Sequence, residues 1–220
     1  MKYKTDYRYT DRETKAKYVW LKYQHILLGR KILDVGADQC YLRQHLDEDA
    51  SYWGIGLGGY TDQQVDLERG EIPFPDNSFD CVLCLDVLEH LEKIHQIFDE
   101  CCRITNQHVI VSLPNPLGAV YGRLRHGDYR PGQLTKFYGL PPEPPQDRHR
   151  WFFSYEEAEK FILYRSKLNQ ISVLQMEPDS MGSERAPWRW LATKILFRND
   201  FNLKNLYAGT LWAVLKKVTN

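Results

Sequence analysis

The sequence predicts an α/β fold in which a doubly wound, mainly parallel sheet lies between helices. Short apolar runs of strand length recur in the first half of the chain, and segments with helical spacing separate several of them. Strands that alternate with helices are typical of a parallel sheet. The predicted strands are 31–35, 51–57, 81–85 and 109–113, with a shorter apolar stretch at 65–67 and helices at 40–46 and 86–104.

The first strand ends at a corner that is suited to binding a ligand. Lys31–Val35 has the length and the β-branched content of a buried strand, and Gly36 marks a sharp turn. In open α/β sheets, ligands bind outside the carboxyl ends of the strands. We therefore expect a binding site here, and the simpler alternative is that Asp34 and Gly36 only shape the end of a strand.

A helix is predicted before the first strand. Thr10 and Glu13 form a capping box, and the apolar residues that follow have helical spacing. In the simplest interpretation this helix within residues 1–30 packs against the sheet. In the alternative it closes over a ligand, with Tyr7, Tyr9 or Arg12 reaching in.

The last third of the chain predicts a further helix and two closing strands. Ser154 and Glu157 form a second capping box at the start of a helix. The apolar segments 171–176 and 206–215 are predicted to pair as a hairpin at the edge of the sheet. Between them lies a long insertion, 177–205, with a short helix predicted within it from a proline at the first turn.

Residues 117–150 are predicted to form a lid. The segment is rich in glycine, proline and tyrosine, and a loop of this length in a compact domain is usually functional or disordered. Its aromatic residues favour an ordered lid. Its arginines could bind a phosphate or carboxylate group, or they could form a solvated face of the loop. These arginines are Arg123, Arg125, Arg130 and Arg148.

Composition limits the possible functions. The 220 residues predict a single domain spanning 1–220, and the 29 basic residues balance the 29 acidic ones, so no nucleic-acid partner is expected. Five cysteines without framework spacing predict free thiols and a cytoplasmic protein. Cys81 and Cys84 should point to opposite faces of a strand, and no metal site is predicted. No apolar run is long enough to predict a membrane span.

Four pieces of the sequence, in this order and spacing, resemble class I S-adenosylmethionine-dependent methyltransferases. They are Leu33–Gly36, Val65–Glu68, Pro73–Asp80 and Asp86–Leu91. The resemblance covers roughly residues 31–115. It implies a Rossmann-like, seven-stranded sheet whose last strand is antiparallel, and it implies S-adenosylmethionine as the cofactor.

The resemblance also implies which residues bind that cofactor. The first corner holds its methionine portion, an acid faces the adenine amino group, and the end of the fourth strand runs past the sulfonium. A carboxylate beside free backbone amides would suit a ligand end with both an ammonium and a carboxylate. The implied residues are Asp34, Val35, Gly36, Ala37, Asp38, Gly56, Leu57, Asp66, Leu67, Leu85 and Asp86.

Three positions depart from the family pattern. Asp38 and Cys40 stand where the family usually has glycine, and Gly56 stands where an acid normally binds both ribose hydroxyls. A hydrogen bond to a charged group contributes ~1.5 to 3 kcal/mol. Loss of such a bond between the acid and the ribose would therefore weaken cofactor binding by roughly ten- to a hundredfold. Asp62 or Asp38 is a candidate replacement for the missing acid.

Two histidines are candidate general bases. His149 has a near-neutral unperturbed pKa and lies in the predicted lid, which makes it the first candidate, and His90 is the second. The alternative for His149 is a hydrogen bond to the loop backbone, and for His90 it is packing or capping near a helix start.

The leading hypothesis is a methyltransferase that acts on an oxygen or nitrogen of a small molecule, with an anionic sugar or metabolite as one candidate. The alternative is a degenerate member that binds the cofactor weakly or not at all and serves as a partner-binding subunit. An NAD-binding enzyme is disfavoured because GxGxxG does not follow the first strand.

Overall fold

A computed structural model describes residues 3–126, 142–144, 148–181, 191, 195 and 201–218. These residues form a seven-stranded sheet with the order β3-β2-β1-β4-β5-β7-β6. The strands are β1 Lys31–Val35, β2 Ser51–Gly56, β3 Gln63–Gln64, β4 Phe79–Leu85, β5 Thr105–Leu113, β6 Ile171–Pro178 and β7 Leu211–Lys217.

The helices of the described residues cover both faces of this sheet. Short 3-10 helices follow β1, β3 and β4. The longer helices are α1 Arg12–Leu27, α2 Ile94–Ile104, α3 Pro116–His126 and α4 Tyr155–Leu168, with a short helix at Lys204–Tyr207.

Alternate residues of the central strands β1 and β4 enter two different cores. On one face, Ile32 and Leu83 pack with residues of α1 such as Val19. On the other face, Leu33 and Val82 pack with residues of α2 and α4. A strand that is apolar on both faces needs helices on both sides, which explains why β1 and β4 carry apolar residues on both of their faces. The doubly wound α/β prediction is confirmed.

The last strand is antiparallel, as predicted. β1, β2, β3, β4 and β5 pair in parallel, whereas β7 is antiparallel to both β5 and β6. The predicted strand 206–215 begins too early, because Leu206 and Tyr207 belong to the short helix before β7. Its buried Leu206 and Tyr207 pack in a small apolar cluster, so their apolar character reflects helix packing rather than a strand.

Several other boundaries differ from the prediction. The cap of α1 is Asp11, whose side chain accepts from the Thr14 amide at 2.8 Å, so the predicted capping box is wrong by one residue. The predicted helix 86–104 is instead two separate helices, a 3-10 helix at Leu88–His90 and then α2. The short stretch at 65–67 follows β3 rather than forming it.

The predicted lid is helical at its start. Residues 117–126 belong to α3, which corrects the expectation of an irregular segment there. Residues 127–141 and 145–147 lie outside the described part of the chain, as does most of the predicted helix 187–197. In the insertion 177–205, only the two ends and two isolated positions are described. None of the helices in the described ranges has the length and apolarity that crossing a membrane requires.

Cys81 and Cys84 point to opposite faces of β4, as predicted. Cys81 lies in the core beneath α1, and Cys84 lies in the core beneath α2. All five cysteines are free and buried.

Candidate functional site

A cavity of about 360 Å³ opens at the carboxyl ends of β1, β4 and β5, beneath the start of α1. This is the sheet edge at which α/β folds bind ligands. The predicted site residues that line this cavity are Asp34, Gly36, Ala37, Asp38, Leu85, Asp86, His90 and His149.

The turn after β1 is tightly built. Gly36 has a φ of 76°, and a Cβ atom at this position would lie 2.3 Å from a methyl carbon of Val87. The Gly36 and Ala37 amides both donate to the Ile55 carbonyl, at 2.8 and 3.1 Å. The expectation of free amides is therefore wrong, because the close approach of β2 occupies both donors.

Asp34 is a buried carboxylic acid on the cavity wall. It is 9 % exposed, and the Tyr52 hydroxyl donates to its Oδ2 atom at 2.6 Å. Burial raises the pKa of Asp34 to about 6, although the Tyr52 hydrogen bond and the positive charge of Lys15 oppose this increase. Asp34 is therefore mostly ionised at neutral pH, and it presents a negative charge to the cavity.

Asp38 and Cys40 adopt the backbone conformation that glycine would adopt there. Their φ values are 49° and 53°. Left-handed backbone costs a residue with a Cβ atom roughly 1 to 2 kcal/mol. The Cys40 side chain is accommodated by Gly54, where a Cβ atom would lie 2.6 Å from the sulfur. The chain therefore forms this turn without glycine at positions 38 and 40.

The first turn of α1 contributes two cations to the cavity. Arg12 forms an ion pair with Asp38, and Lys15 forms one with Asp86. Lys15 also donates to the Ser112 hydroxyl at 3.1 Å. The alternative in which Arg12 reaches towards a ligand site agrees with this placement. Lys15 was not predicted, and its place one helical turn after Arg12 is the signal that could have identified it.

Asp86 lies at the end of β4 among groups of opposite charge. Burial alone would raise the pKa of Asp86, but Lys15, the Ser112 hydroxyl and His149 together lower it below its ordinary value. The Ser112 hydroxyl donates to Asp86 Oδ1 at 2.6 Å. Asp86 is therefore ionised at neutral pH and connects α1 to the sheet.

The two candidate histidines lie against each other, although they are far apart in the sequence. The ring centroids of His90 and His149 are 4.4 Å apart, and the rings are nearly perpendicular. His149 is 8 % exposed. The fully buried Glu89 places a carboxylate oxygen 3.8 Å from His90 Nε2. Glu89 was not predicted from the sequence.

Hydrogen bonds fix the segment that carries His149. The Arg150 amide donates to the Glu89 carbonyl at 2.8 Å, and Arg150 Nε donates to the His90 carbonyl at 3.0 Å. The Trp151 indole donates to the Leu91 carbonyl at 2.7 Å. The position of His149 is therefore determined by the chain around His90.

Other predicted residues lie elsewhere. Leu57 and Asp66 line a different cavity of about 750 Å³, and the Asp66 side chain accepts from the Glu68 amide at 3.0 Å. Val35 and Leu67 are buried in the core. Five predicted cofactor-binding residues therefore do not line the cavity that contains Asp34: Val35, Gly56, Leu57, Asp66 and Leu67.

The positions considered for binding the ribose hydroxyls differ most from the predicted site. A Cβ atom at Gly56 would lie 3.4 Å from the Gly36 Cα atom, so the two turns are in contact. Asp62 accepts from the Gly54 amide at 2.8 Å and pairs with Arg43. Asp38 pairs with Arg12. Both candidate replacements for the missing acid therefore already have partners.

Comparison with known proteins identifies a match in the segment that forms most of the cavity. Residues 34–113 match a family model described as a methyltransferase domain. This segment contains the ends of β1, β2, β4 and β5 and thus most of the cavity. No curated protein gives a significant match to the sequence.

Several solved structures share the fold at low sequence identity. A SAM-dependent methyltransferase from Archaeoglobus fulgidus has 16 % identity and a TM-score of 0.57, with 94 % of this chain and 95 % of that chain covered. The magnesium protoporphyrin IX methyltransferase ChlM from Synechocystis PCC 6803, solved with bound SAH, has 16 % identity, a TM-score of 0.54 and coverages of 94 % and 83 %. The cyclase SpnF has 14 % identity, a TM-score of 0.57 and coverages of 100 % and 87 %.

The family match covers the segment that builds the cavity, and the sheet has the predicted antiparallel last strand. Residues 34–113 thus match a methyltransferase domain, and the chain shares its fold with S-adenosylmethionine-dependent methyltransferases of known structure.

Proposed function

We propose that the protein is a cytoplasmic methyltransferase that transfers a methyl group from S-adenosylmethionine to an oxygen or nitrogen of a small molecule. One observation carries this proposal. A single cavity joins the Asp34 corner to the His90 and His149 pair. A cofactor-binding end and a proton-accepting end therefore lie within reach of one another.

The residues of the first corner suit the amino-acid end of the cofactor. The buried Asp34 carboxylate complements an ammonium group. The Gly36 and Ala37 amides donate to the Ile55 carbonyl, so we propose that cationic side chains bind the carboxylate of the cofactor in their place. Arg12 and Lys15 line the same cavity and supply that charge. Bound there, S-adenosylmethionine supplies an electrophilic methyl group on a positively charged sulfur.

The histidine pair suits the loss of a proton from the acceptor. A neutral imidazole can accept a proton near pH 7, and general base catalysis contributes typically 10²- to 10⁴-fold. His149 is the first candidate base and His90 the second, as the sequence predicts. Arg148 is exposed and remains a proposed contact for an anionic acceptor, as does Arg123 on α3. The side chains of Arg125 and Arg130 lie outside the described residues.

The second candidate function is that of a degenerate, partner-binding member. It is favoured by the turn amides that bond within the protein and by the absence of an acid at Gly56. The similarity to a structure described as a cyclase also shows that this fold is not restricted to proteins called methyltransferases. In this reading Arg12 and Lys15 close the cavity rather than bind a ligand.

Calorimetric titration separates the two functions. The purified protein is titrated with S-adenosylmethionine, S-adenosylhomocysteine and NAD. We expect saturable binding of both sulfur compounds and none of NAD. Asp34→Ala should weaken that binding about ten- to a hundredfold, because it removes the charged partner of the ammonium. A wild-type protein that binds neither sulfur compound at millimolar concentration would contradict the proposal and favour the partner-binding alternative.

A further inference from the structure

Three side chains at the histidine end of the cavity have the composition and spacing of a metal site. Glu89, His90 and His149 each offer one ligand atom, and these atoms all lie within 4.8 Å of one another. All three residues line the cavity. Small side-chain rotations would bring the three atoms onto one ion, because metal–ligand bonds of ~2.0 to 2.2 Å place neighbouring ligands closer together than this.

The backbone holds these ligands in position. Glu89 and His90 are neighbours, and Leu88–His90 is a single turn of 3-10 helix. The Arg150 amide bonds to the Glu89 carbonyl at 2.8 Å, so the third ligand, His149, is fixed beside the first two. Metal sites require such support around the ligands, because it orients them before the ion arrives.

The chemistry of the ligands selects a class of ion. Two imidazoles and one carboxylate bind divalent transition metals such as zinc, iron and cobalt, whereas magnesium and calcium prefer oxygen ligands alone. Glu89 is fully buried. A buried carboxylate is stabilised by a nearby cation, because removing it from water is otherwise costly.

We propose that Glu89, His90 and His149 bind one divalent transition-metal ion at the acceptor end of the cavity. The site extends the proposed function and rests on it for its chemical role. Three protein ligands leave a coordination position for an oxygen from the cavity. A hydroxyl that binds there loses its O–H proton to solvent more readily, because the metal lowers its pKa. The acceptor class is then a hydroxyl compound. When the ion is bound, His90 and His149 promote the loss of the acceptor proton through the metal instead of accepting that proton directly as proposed above.

Metal binding is tested directly with cobalt, whose visible absorption reports its ligands. Tag-free protein is dialysed against a chelator, the chelator is removed, and the protein is titrated with CoCl₂. We expect one ion per chain. Each of Glu89→Gln, His90→Ala and His149→Ala should weaken binding at least tenfold, because each removes a ligand. His25→Ala is the matched control, since His25 is exposed on α1 and does not line the cavity.

Titration of the same proteins with S-adenosylhomocysteine makes the result decisive. A variant that still binds this compound like the wild type is folded, so its loss of cobalt binding is specific. Wild-type protein that shows no saturable cobalt binding at millimolar concentration overturns the metal site, as do ligand variants that bind cobalt as tightly as the wild type. Cobalt binding without any binding of the sulfur compounds would leave the metal site standing and contradict the proposed methyltransferase activity instead.

Discussion

At the proposed cofactor end of the cavity, the turn residues come from one continuous segment, 34–42. At the proposed acceptor end, Glu89 and His90 meet His149 from a distant part of the chain. The first end is held by contacts between backbone turns, such as the close approach of Gly56 to the Gly36 Cα atom. The second end depends on hydrogen bonds between two loops.

This difference has a consequence for variation. A turn made of backbone contacts tolerates little change in its atoms, while a site assembled from two loops can change its ligands and keep the sheet. Binding residues on loops supported by a rigid scaffold are the common arrangement in α/β folds. We therefore expect substitutions at the cofactor end to affect stability more, and substitutions at the acceptor end to affect chemistry more.

The largest effect on stability is expected for Gly36→Ala. The new Cβ atom would lie 2.3 Å from a methyl carbon of Val87, on backbone with a φ of 76°. Left-handed backbone and overpacking together should lower the free energy of unfolding by about 2 to 4 kcal/mol, measured by urea denaturation. Gly59→Ala is the control, because a Cβ atom there meets no neighbour within 4 Å. A loss below about 1 kcal/mol would mean that the turn is not rigid.

The next largest effect is a dependence of cofactor affinity on pH. Burial raises the pKa of Asp34 to about 6 from 3.8. Without ligand, protonation of Asp34 therefore favours the folded state, and this contribution is lost as the pH rises through about 6. An ammonium ligand requires the ionised form. Affinity for S-adenosylhomocysteine should therefore fall about tenfold from pH 7 to pH 5.

Calorimetry at several pH values in two buffers measures both the affinity and the proton released on binding. Asp34→Asn should bind more weakly at pH 7, and its affinity should not depend on pH in this range. If the wild-type affinity is flat while the Asp34→Asn affinity varies, another group controls binding and Asp34 is only structural.

The strand and turn around Asp34 could be predicted from the sequence because their signals are local. The strand Lys31–Val35, which contains the acid Asp34, is followed directly by the turn at Gly36, and the order of the later motifs identifies the sheet. The free amides could not be judged, because the Ile55 carbonyl that accepts from them arrives on another strand. The positive φ of Asp38 also gave no signal, since a side chain there breaks the pattern that normally marks the turn.

The acceptor end could be predicted only as separate residues. His90 near a predicted helix start and His149 in the predicted lid can each be identified as titratable groups, but nothing local indicates that they meet. Their contact depends on Arg150 and Trp151 bonding to the carbonyls of Glu89, His90 and Leu91. Glu89 was missed because a glutamate in a short helical turn is ordinarily exposed, and its burial is a tertiary property.

The smallest effect tests whether the two ends are independent. Trp151→Phe keeps an aromatic ring but removes the donor to the Leu91 carbonyl. Because a partly exposed hydrogen bond contributes about 1 kcal/mol, the free energy of unfolding should fall by about that amount. Cobalt affinity should fall severalfold because His149 is held less firmly, and affinity for S-adenosylhomocysteine should be unchanged. Trp53→Phe is the control, since Trp53 is similarly exposed, at 42 % against 37 %, and does not line the cavity. If Trp151→Phe instead weakens the sulfur compound more than cobalt, the loop around Trp151 supports the whole cavity, and the cofactor end depends on long-range contacts as much as the acceptor end does.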